Sequence, residues 1–266
     1  MIYVVPSLKA KEKLQSEGKA WAESQGFTYV LRHQRTIQDL TDEYGEDFLV
    51  YSSRGPQIDR PEGSHFFSLN MAELRIQNLR KGQRDHLLEA LMGRESSKLP
   101  ITVLDCTCGF GADAAVASFG LPAGSRIDAL EVSPLLEAVT SWGFSHFVHK
   151  KDDVTAALRR ISLRRGDYRD YLLSDEEPVY DVLYFDPMFR RPVEASCQFQ
   201  PVRAIMEHGG LTRDLIERAL QKARRRVVIK ERDFRQLCRD FPEVTLYGGK
   251  YSRIGYAVLE CDSWKK

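Results

Sequence analysis

The chain has 266 residues, of which 42% are hydrophobic and 29% are charged, as in an ordinary globular protein. It contains no apolar run near the roughly 18–20 residues that a membrane-spanning helix needs, which argues against a membrane protein. At the N-terminus a short apolar run precedes the charges, the reverse of a secretory signal, so a cytoplasmic location is expected.

Charge is unevenly distributed, although the formal net charge is only +1. Residues 1–149 carry 15 Lys and Arg against 19 Asp and Glu, whereas residues 150–266 carry 24 against 19. Basic clusters of this kind can contact phosphates, or they can be solvated faces. The clusters are Arg159-Arg160, Arg164-Arg165, Arg190-Arg191 and Arg224-Arg225-Arg226.

The first 62 residues alternate short apolar runs with helical periodicity, which predicts a small N-terminal α/β subdomain. Strands are expected at 2–5, 27–31 and 48–51, with helices at 9–25 and 36–44. Breaker residues concentrated over 53–63 predict a linker.

Residues 63–97 are predicted to form a connecting helical segment, with helical periodicity over 64–92 and an interruption near Gly82. The segment could approach the cofactor pocket, and Arg75 and Asp85 are its most notable polar residues. For both, an ordinary charge on a helix surface is the expected role.

From residue 98 to the end, β–α alternation predicts a second domain with a doubly wound, Rossmann-like parallel sheet. The pattern Val244–Tyr247, GGKYSR and Ile254–Glu260 predicts a C-terminal antiparallel hairpin. The expected strands of the parallel part are 102–105, 126–131, 160–163, 179–186 and 226–230.

A glycine-rich turn follows the first of these strands, in the stretch ITVLDCTCGFGAD. Gly109, Gly111 and Ala114 satisfy G-x-G-x-x-A, and Glu131 follows Gly111 by 20 residues, as in a dinucleotide-binding fingerprint. The glycines allow the backbone to approach a nucleotide-like ligand, and the acid can accept both ribose hydroxyls. A nicotinamide oxidoreductase is therefore one hypothesis.

Two further acids favour S-adenosylmethionine as the cofactor. Asp105 ends the strand before the loop, where its carboxylate can face ammonium and sulfonium charges. Asp113 adds a second acid at the helix start, and a pyrophosphate would be repelled by both. Cys106 and Cys108 lack the usual zinc spacing, so we expect small buried side chains and no metal.

Asp167 follows the third predicted strand, where an acid would bond an adenine amino group, and Tyr168 beside it could offer a ring face. The alternative for Asp167 is an N-cap of the helix that begins there.

The segment YFDPMF presents Asp186, Pro187 and Phe189 at the end of the fourth strand. An exocyclic base amine is a poor nucleophile because its lone pair is delocalised into the ring. A carboxylate and a backbone carbonyl can accept its two N–H bonds and turn the lone pair towards a methyl donor. Pro187 would fix the backbone, and Phe189 would stack on the base, worth about 1–3 kcal/mol.

Together DCTCGFGADA, ALEVSP, YFDPMF and RVVIKERDF resemble the small-subunit rRNA guanine-N2 methyltransferases of the RsmJ type and their uncharacterised relatives, over roughly residues 64–260. The resemblance implies methylation of rRNA guanine, with RNA or the ribosomal subunit as partner. Substrate contacts are expected at Arg190, Arg191 and Lys230. The cofactor contacts that the resemblance implies are Ala112, Asp113, Glu131, Val132, Asp167, Tyr168 and Asp186.

Other functions compete with RNA base methylation. The same fold could methylate a small-molecule or protein amine, and a nicotinamide oxidoreductase remains a hypothesis. A non-enzymatic RNA-binding protein is a further possibility, since Thr107 replaces the first glycine of the usual D/E-x-G-x-G-x-G loop.

Overall fold

The computed structural model describes residues 1–93, 99–175, 179–187, 210–248 and 254–261. Among the described residues, one compact unit contains 1–68 and 133–147, and a second contains 69–132 and the described residues from 148 onwards.

Twelve strands and ten helices lie in the described residues. The strands are β1 (Tyr3–Pro6), β2 (Thr28–Tyr29), β3 (Phe48–Ser52), β4 (Gly55–Arg60), β5 (Gly63–Phe66), β6 (Thr102–Asp105), β7 (Arg126–Glu131), β8 (Ile161–Arg165), β9 (Tyr180–Phe185), β10 (Ala223–Glu231), β11 (Thr245–Gly248) and β12 (Gly255–Glu260). The helices are α1 (Glu12–Ser24), α2 (Ile37–Tyr44), α3 (Asn70–Arg80), α4 (His86–Met92), α5 (Ala112–Gly120), α6 (Pro134–His146), α7 (Asp152–Leu158), α8 (Tyr168–Leu173), α9 (Arg213–Lys222) and α10 (Arg235–Asp240).

The first unit is built on a five-stranded sheet of order β2-β1-β3-β4-β5. Strands β2, β1 and β3 are parallel, and β4 and β5 continue the sheet antiparallel. Helix α2 begins with a complete capping box between Thr36 and Asp39, which satisfies donors that a helix start otherwise leaves open. Beneath the sheet, Val5, Leu40, Phe48 and Val50 form a buried cluster.

The linker predicted over 53–63 is wrong, because β4 occupies most of it. Ser52 pairs with Gly55 across a two-residue turn, and Gly55 has φ 87°. The strand is buried although it contains the polar residues Gln57, Asp59 and Arg60. Gln57 Nε2 donates hydrogen bonds to both carboxylate oxygens of Asp59, at 2.9 and 2.7 Å. The breakers thus mark a hairpin rather than an unstructured connection.

The helix predicted from residue 64 is also displaced. Residues 63–66 form β5, antiparallel to β4, and helix α3 begins only at Asn70. The predicted interruption near Gly82 is confirmed, since α3 ends at Arg80 and α4 begins at His86. Asp85 caps α4 by accepting from the N–H groups of Leu87 and Leu88.

The second unit confirms the predicted fold class. Its seven-stranded sheet has the order β11-β12-β10-β9-β6-β7-β8. Strands β8, β7, β6, β9 and β10 are parallel, whereas β12 and β11 run antiparallel as the predicted C-terminal hairpin. A large cluster of buried apolar side chains, including Leu104, Leu183 and Val227, packs along this sheet.

The strand order reverses beside β6. From β6 the chain builds outwards through β7 and β8, then returns to place β9 on the other side of β6. In open α/β sheets a ligand binds outside the carboxyl ends of the strands at such a switch point. The loop after β6 and the end of β9 are therefore the first place to look for a functional site.

Within the described part of the chain, no helix is long and apolar enough to cross a bilayer. The longest described helices, α1 and α6, have 13 residues each, short of the roughly 20 that a span requires.

Helix α6 packs on β4 in the first unit, and its Gly143 lies against the ring of Phe67. A Cβ at Gly143 would overlap the ring of Phe67, which is itself held between Phe144 and Phe147. Alanine normally favours a helix over glycine by about 1 kcal/mol, but overpacking costs about 1–3 kcal/mol. Because the added Cβ would meet three ring carbons of Phe67, we expect the upper part of that cost, about 2–3 kcal/mol. Gly143→Ala should therefore lower the free energy of unfolding by about 1–2 kcal/mol, measured by urea titration of the full chain.

Ser145→Ala at an exposed position of the same helix is the control and should leave the urea midpoint unchanged. A Gly143→Ala protein as stable as the wild type would contradict the packing of Phe67 against α6.

Candidate functional site

Three acidic residues end three neighbouring strands of the second unit. Asp105 is the last residue of β6, Glu131 the last of β7, and Asp186 follows β9 directly. Lys230 lies one residue before the end of β10, the next parallel strand. Because these strands are parallel and adjacent, all four side chains lie at one edge of the sheet.

The loop after β6 is held in shape by Glu131. Gly109 (φ 53°) and Gly111 (φ 75°) adopt left-handed backbone conformations that favour glycine. The Gly109 N–H donates to Oε2 of Glu131 at 2.9 Å, and the Cys108 N–H donates to the Leu130 carbonyl at the same distance. Gly111 then serves as N-cap of α5, which begins at Ala112. The loop is thus fastened to the end of β7.

The N-cap of the next helix, α6, is Ser133, whose hydroxyl accepts from the Leu136 N–H at 3.4 Å. Cys106 and Cys108 are buried, at 3% and 6% exposure, as expected for small side chains under the loop.

Thr107, where the usual loop has its first glycine, joins the loop to β9. Its N–H donates to Oδ1 of Asp105 at 3.1 Å, and its Oγ1 accepts from the Asp186 N–H at 2.6 Å. The threonine hydroxyl therefore fixes the backbone at the start of the DPMF segment. The sequence did not predict this bond between the loop and β9, because Thr107 is there only a departure from the D/E-x-G-x-G-x-G pattern.

Asp113 is the centre of a buried charge network. Its Oδ1 accepts from Arg75 Nη1 at 2.5 Å, and its Oδ2 accepts from Lys230 Nζ at 2.8 Å and from the Tyr184 hydroxyl at 2.7 Å. Burial alone would raise the pKa of Asp113, but the charges of Lys230 and Arg75 hold it well below its usual value. Asp113 is therefore a stable carboxylate.

The prediction that Arg75 and Asp85 are ordinary surface charges is wrong. Arg75 makes a bidentate pair with Asp85, both bonds at 2.8 Å, while another of its nitrogens binds Asp113. The Asp85 side chain is only 11% exposed. Arg75 thus links the start of α4 to the start of α5. Sequence spacing gave no signal for this, because Arg75 and Asp113 are 38 residues apart.

Tyr184 was also missed, although the sequence carried a signal for it. Residues two apart on a strand point to the same face, so Tyr184 shares the face of Asp186. Its ring lies 6.5 Å from that of Tyr256, which pairs with Lys230 across the β10–β12 ladder. Burial raises the pKa of both tyrosines above the usual value, so each hydroxyl stays protonated.

Lys230 binds two carboxylates at once. Its Nζ lies 2.8 Å from Oδ2 of Asp113 and 2.7 Å from Oδ2 of Asp186. Burial raises the pKa of Asp186 to about 6, with Lys230 opposing and Asp113 reinforcing the rise. The Asp186 side chain keeps 30% of its surface exposed, so its carboxylate remains accessible from solvent.

Asp105 is the most deeply placed acid of the edge, at 2% exposure. Burial raises its pKa well above the usual value, the Thr107 N–H opposes this, and the charges of Asp113 and Asp186 add to the rise. A cation entering beside Asp105 would offset this cost. The edge is therefore electrostatically suited to a positively charged ligand and unsuited to a pyrophosphate.

The remaining predicted cofactor residues lie around β7 and β8. Val132 is 37% exposed directly after Glu131. Asp167 caps α8, since Oδ1 accepts from the Arg169 N–H at 2.8 Å, which is the alternative that the sequence left open. Tyr168 is buried at 7% exposure, with its ring edge-on to Phe185 at 5.4 Å. The Tyr168 ring is thus packed into the core of the sheet.

Part of the predicted reacting site lies outside the described residues, namely Phe189, Arg190 and Arg191. Pro187 is described and half-buried after Asp186. The basic triplet Arg224–Arg226 lies in β10. Arg225 pairs with Asp181 at 2.9 Å, and Arg226 is buried and pairs with Glu260 at 3.2 Å.

A protein-family profile described as "Putative SAM-dependent methyltransferase" matches residues 64–254, well over half of the chain. The chain belongs to this family of S-adenosylmethionine-dependent methyltransferases. The family also identifies the cofactor, which the formal G-x-G-x-x-A pattern left open between S-adenosylmethionine and a dinucleotide. Acids at 105 and 131 around a glycine loop agree with a cationic nucleoside ligand.

Relatives of the methyltransferase bear out the resemblance drawn from its motifs. The uncharacterized protein YpiP of Bacillus subtilis is 28% identical over 229 residues, 86% of this chain and 88% of the relative. The ribosomal RNA small subunit methyltransferase J of Marinobacter nauticus is 27% identical over 192 residues, 71% of this chain and 66% of the relative. The ribosomal RNA small subunit methyltransferase J of Thioalkalivibrio sulfidiphilus is 30% identical over 151 residues, which are 55% of this chain and 57% of the relative.

A solved structure supports the fold of the methyltransferase over nearly its whole length. The crystal structure of a SAM-dependent methyltransferase from Neisseria gonorrhoeae superposes with a TM-score of 0.64 at 17% identity, covering 98% of this chain and 96% of the other.

The pairing of Arg75 with two buried carboxylates leads to a stability prediction. Arg75→Met keeps the aliphatic stem but leaves Asp85 and Asp113 with one cation fewer. Removing one partner of a buried pair costs about 3–5 kcal/mol, and the 25% exposure of Arg75 reduces this, so we expect a loss of about 2–4 kcal/mol in urea unfolding. Arg84→Met, at a side chain 88% exposed, is the control and should leave the midpoint unchanged. Equal midpoints for both variants would contradict the network.

Proposed function

We propose that this methyltransferase modifies an exocyclic amino group of an RNA base, with a guanine of small-subunit ribosomal RNA as target. The observation that carries the proposal is the fixed position of Asp186 at the switch point. Thr107 holds its backbone N–H and Lys230 holds its Oδ2. Two relatives named as ribosomal RNA small subunit methyltransferases support the choice of substrate.

In this proposal the cofactor lies over the glycine loop. Glu131 accepts the ribose hydroxyls, and Asp105 faces the positive charges of the ligand. Gly109, Gly111 and Ala112 allow the close approach of the backbone. Asp113 contributes through the cations it binds, because both of its carboxylate oxygens already accept hydrogen bonds from Arg75, Lys230 and Tyr184. Contacts to the adenine are assigned to Val132, Asp167 and Tyr168, with Tyr168 acting through its backbone because its ring is buried.

The chemistry assigned to Asp186 is orientation of the amine. When bound, S-adenosylmethionine supplies an electrophilic methyl group on a cationic sulfur. Asp186 accepts one amine N–H and the carbonyl of Pro187 the other, so that the nitrogen lone pair leaves conjugation with the ring. Nitrogen bonds to the methyl carbon as the carbon–sulfur pair goes to sulfur, and nitrogen then releases a proton. A carboxylate with a pKa of about 6 can receive that proton near neutral pH.

Positioning supplies most of the acceleration in this scheme, because the methyl donor is intrinsically reactive. Phe189 is assigned to stacking on the base, and Arg190 and Arg191 to RNA contacts. These three residues are proposed on sequence grounds.

A route for the RNA backbone is proposed along β8, the edge strand. Arg164 and Arg165 are exposed there, and the register places Arg165 beside Glu131. Charged side chains on an edge strand also prevent edge-to-edge pairing, so their presence alone does not require RNA. Their position beside the proposed cofactor site favours phosphate binding, since a target base must be delivered to that edge.

The proposal is tested with Asp186→Asn and Glu131→Gln. Labelled methyl transfer from S-adenosylmethionine is measured to rRNA from a strain lacking the gene, and cofactor affinity is measured by calorimetry. We expect Asp186→Asn to lose at least about 100-fold in transfer rate while keeping cofactor affinity, and Glu131→Gln to lose affinity by about tenfold or more. Mass spectrometry of the nucleosides identifies the methylated base.

Asp128→Asn is a matched control for these substitutions, because Asp128 lies on β7 but pairs with Arg126 and Tyr180. If labelled methyl transfer persisted after ribonuclease treatment, the substrate would be a small-molecule or protein amine and not RNA. If the Asp186→Asn variant transferred methyl groups at the wild-type rate, the Asp186 carboxylate would have no role in the reaction.

Charge reversal tests the RNA route separately. We expect Arg164→Glu with Arg165→Glu to raise the KM for RNA about tenfold and to reduce the slope of log affinity against log salt by about 1.4–1.8, since two phosphate contacts are lost. Arg218→Glu, at an exposed position of α9, is the control and should change neither quantity. Unchanged RNA affinity in the double variant would contradict the route along β8.

A further inference from the structure

Lys230 was predicted to contact substrate, but its ammonium group is engaged by two carboxylates of the protein. The side chain is only 13% exposed, and Nζ lies within 2.8 Å of both Asp113 and Asp186. An ammonium has three donors, and these two bonds occupy two of them. Lys230 is thus placed to act through Asp186.

Asp113 fixes the position of that ammonium. Its Oδ1 is bound by Arg75 and its Oδ2 by Tyr184, so the carboxylate cannot rotate away from Lys230 without losing both bonds. Arg75 is fixed in turn by Asp85 through two bonds of 2.8 Å. The chain of contacts from Asp85 to Lys230 forms a rigid support behind Asp186.

The two oxygens of Asp186 are therefore not equivalent. Oδ2 is bound by Lys230, and the backbone N–H of Asp186 is bound by Thr107. Among the residues that the structure describes, no hydrogen bond reaches Oδ1. Since a part of the side chain remains exposed, Oδ1 is the oxygen that can accept an N–H from a bound amine.

We propose that Lys230 is a positioning residue for Asp186: anchored on Asp113, its ammonium fixes Oδ2 and keeps the carboxylate ionised, so that Oδ1 accepts the substrate amine. This inference rests on the proposed function, in which Asp186 contacts that amine. It assigns Lys230 to catalysis through Asp186 rather than to substrate binding.

The sign of the expected pH effect follows from the groups around Asp186. Lys230 favours the carboxylate form, whereas burial and the neighbouring acids favour the protonated form. Removing Lys230 should therefore raise the pKa of Asp186 and move the acidic limb of the rate to higher pH. Among the described residues, several charged and titratable groups face Asp186 or Lys230. They are Asp105 on β6, Asp113 on α5, Tyr184 on β9, Glu231 on β10, Tyr256 on β12 and, through Asp113, Arg75 on α3.

The test is the pH dependence of kcat for methyl transfer to rRNA between about pH 5 and 9, in wild type, Lys230→Met and Lys230→Arg. Wild-type kcat should rise with pH along an acidic limb set by ionisation of Asp186, because burial raises the pKa of that carboxyl group above its usual value. In Lys230→Met the midpoint of this limb should rise by about one pH unit or more, so that kcat well below the midpoint falls about tenfold while kcat at pH 9 falls much less. Lys230→Arg, which retains a cation, should return the midpoint towards the wild-type value.

Two controls distinguish the positioning role of Lys230 from a purely structural role. Lys81→Met, at an exposed position after α3, should reproduce the wild-type profile. In the Asp186→Asn background, Lys230→Met should shift no acidic limb, because the titrating group is gone. A Lys230→Met enzyme whose kcat falls equally at every pH, with the midpoint unmoved, would overturn the inference.

Failure of this inference can be separated from failure of the proposed function. If Asp186→Asn is inactive and Lys230→Met keeps the wild-type midpoint, Asp186 acts without help from Lys230, and only the inference is lost. If Asp186→Asn retains wild-type activity, the proposed role of Asp186 is lost, and the inference falls with it. If Lys230→Met shifts the midpoint and raises the KM for RNA less than about threefold, the positioning role is supported over direct substrate binding.

Discussion

The site depends on one buried carboxylate that binds two cations. Asp113 lies in the first turn of α5, where the helix dipole favours a negative charge, but its burial would be costly without partners. Arg75 and Lys230 supply those partners, and Tyr184 supplies a neutral donor. One side chain therefore ties α3, α5, β9 and β10 together at the edge of the sheet that carries the proposed cofactor site.

Among the residues that the structure describes, more acidic than basic side chains lie at this edge. Asp105, Asp113 and Asp186 lie close enough to influence one another, and Lys230 and Arg75 are the cations that act on Asp113. Asp105 is the most deeply buried of these acids, and burial together with the charges of Asp113 and Asp186 raises its pKa well above the usual value. A cationic methyl donor fits such an edge, since it adds the charge that the protein groups lack.

Hydrogen bonds to backbone groups fix the geometry around these charges. Glu131 binds the N–H of Gly109, and Thr107 joins the cofactor loop to the N–H of Asp186. The loop and the end of β9 are thus positioned by hydrogen bonds within the protein itself. Preorganisation of this kind lowers the entropic cost of orienting reactants.

The amino-acid sequence determined the parallel sheet and its functional edge to a large extent. The bounds 102–105 and 126–131 were predicted and observed, because apolar strands ending in an acid before a turn are local patterns. The DPMF segment and the glycine loop marked the switch point for the same reason. Glycine and proline led to a wrong prediction, the linker over 53–63, where they belong to a hairpin, as at Gly55 and Pro56 of β4.

Only the tertiary structure decided how the charged residues pair. Arg75 and Asp85 look like any other charges on a helix, and Lys230 looks like a basic residue available to RNA. Their roles come from contacts across 38 and 117 residues of sequence, to a carboxylate that the fold buries. Helical or strand periodicity carries no information about such pairs, since it reports which face is apolar and not which distant charge lies opposite.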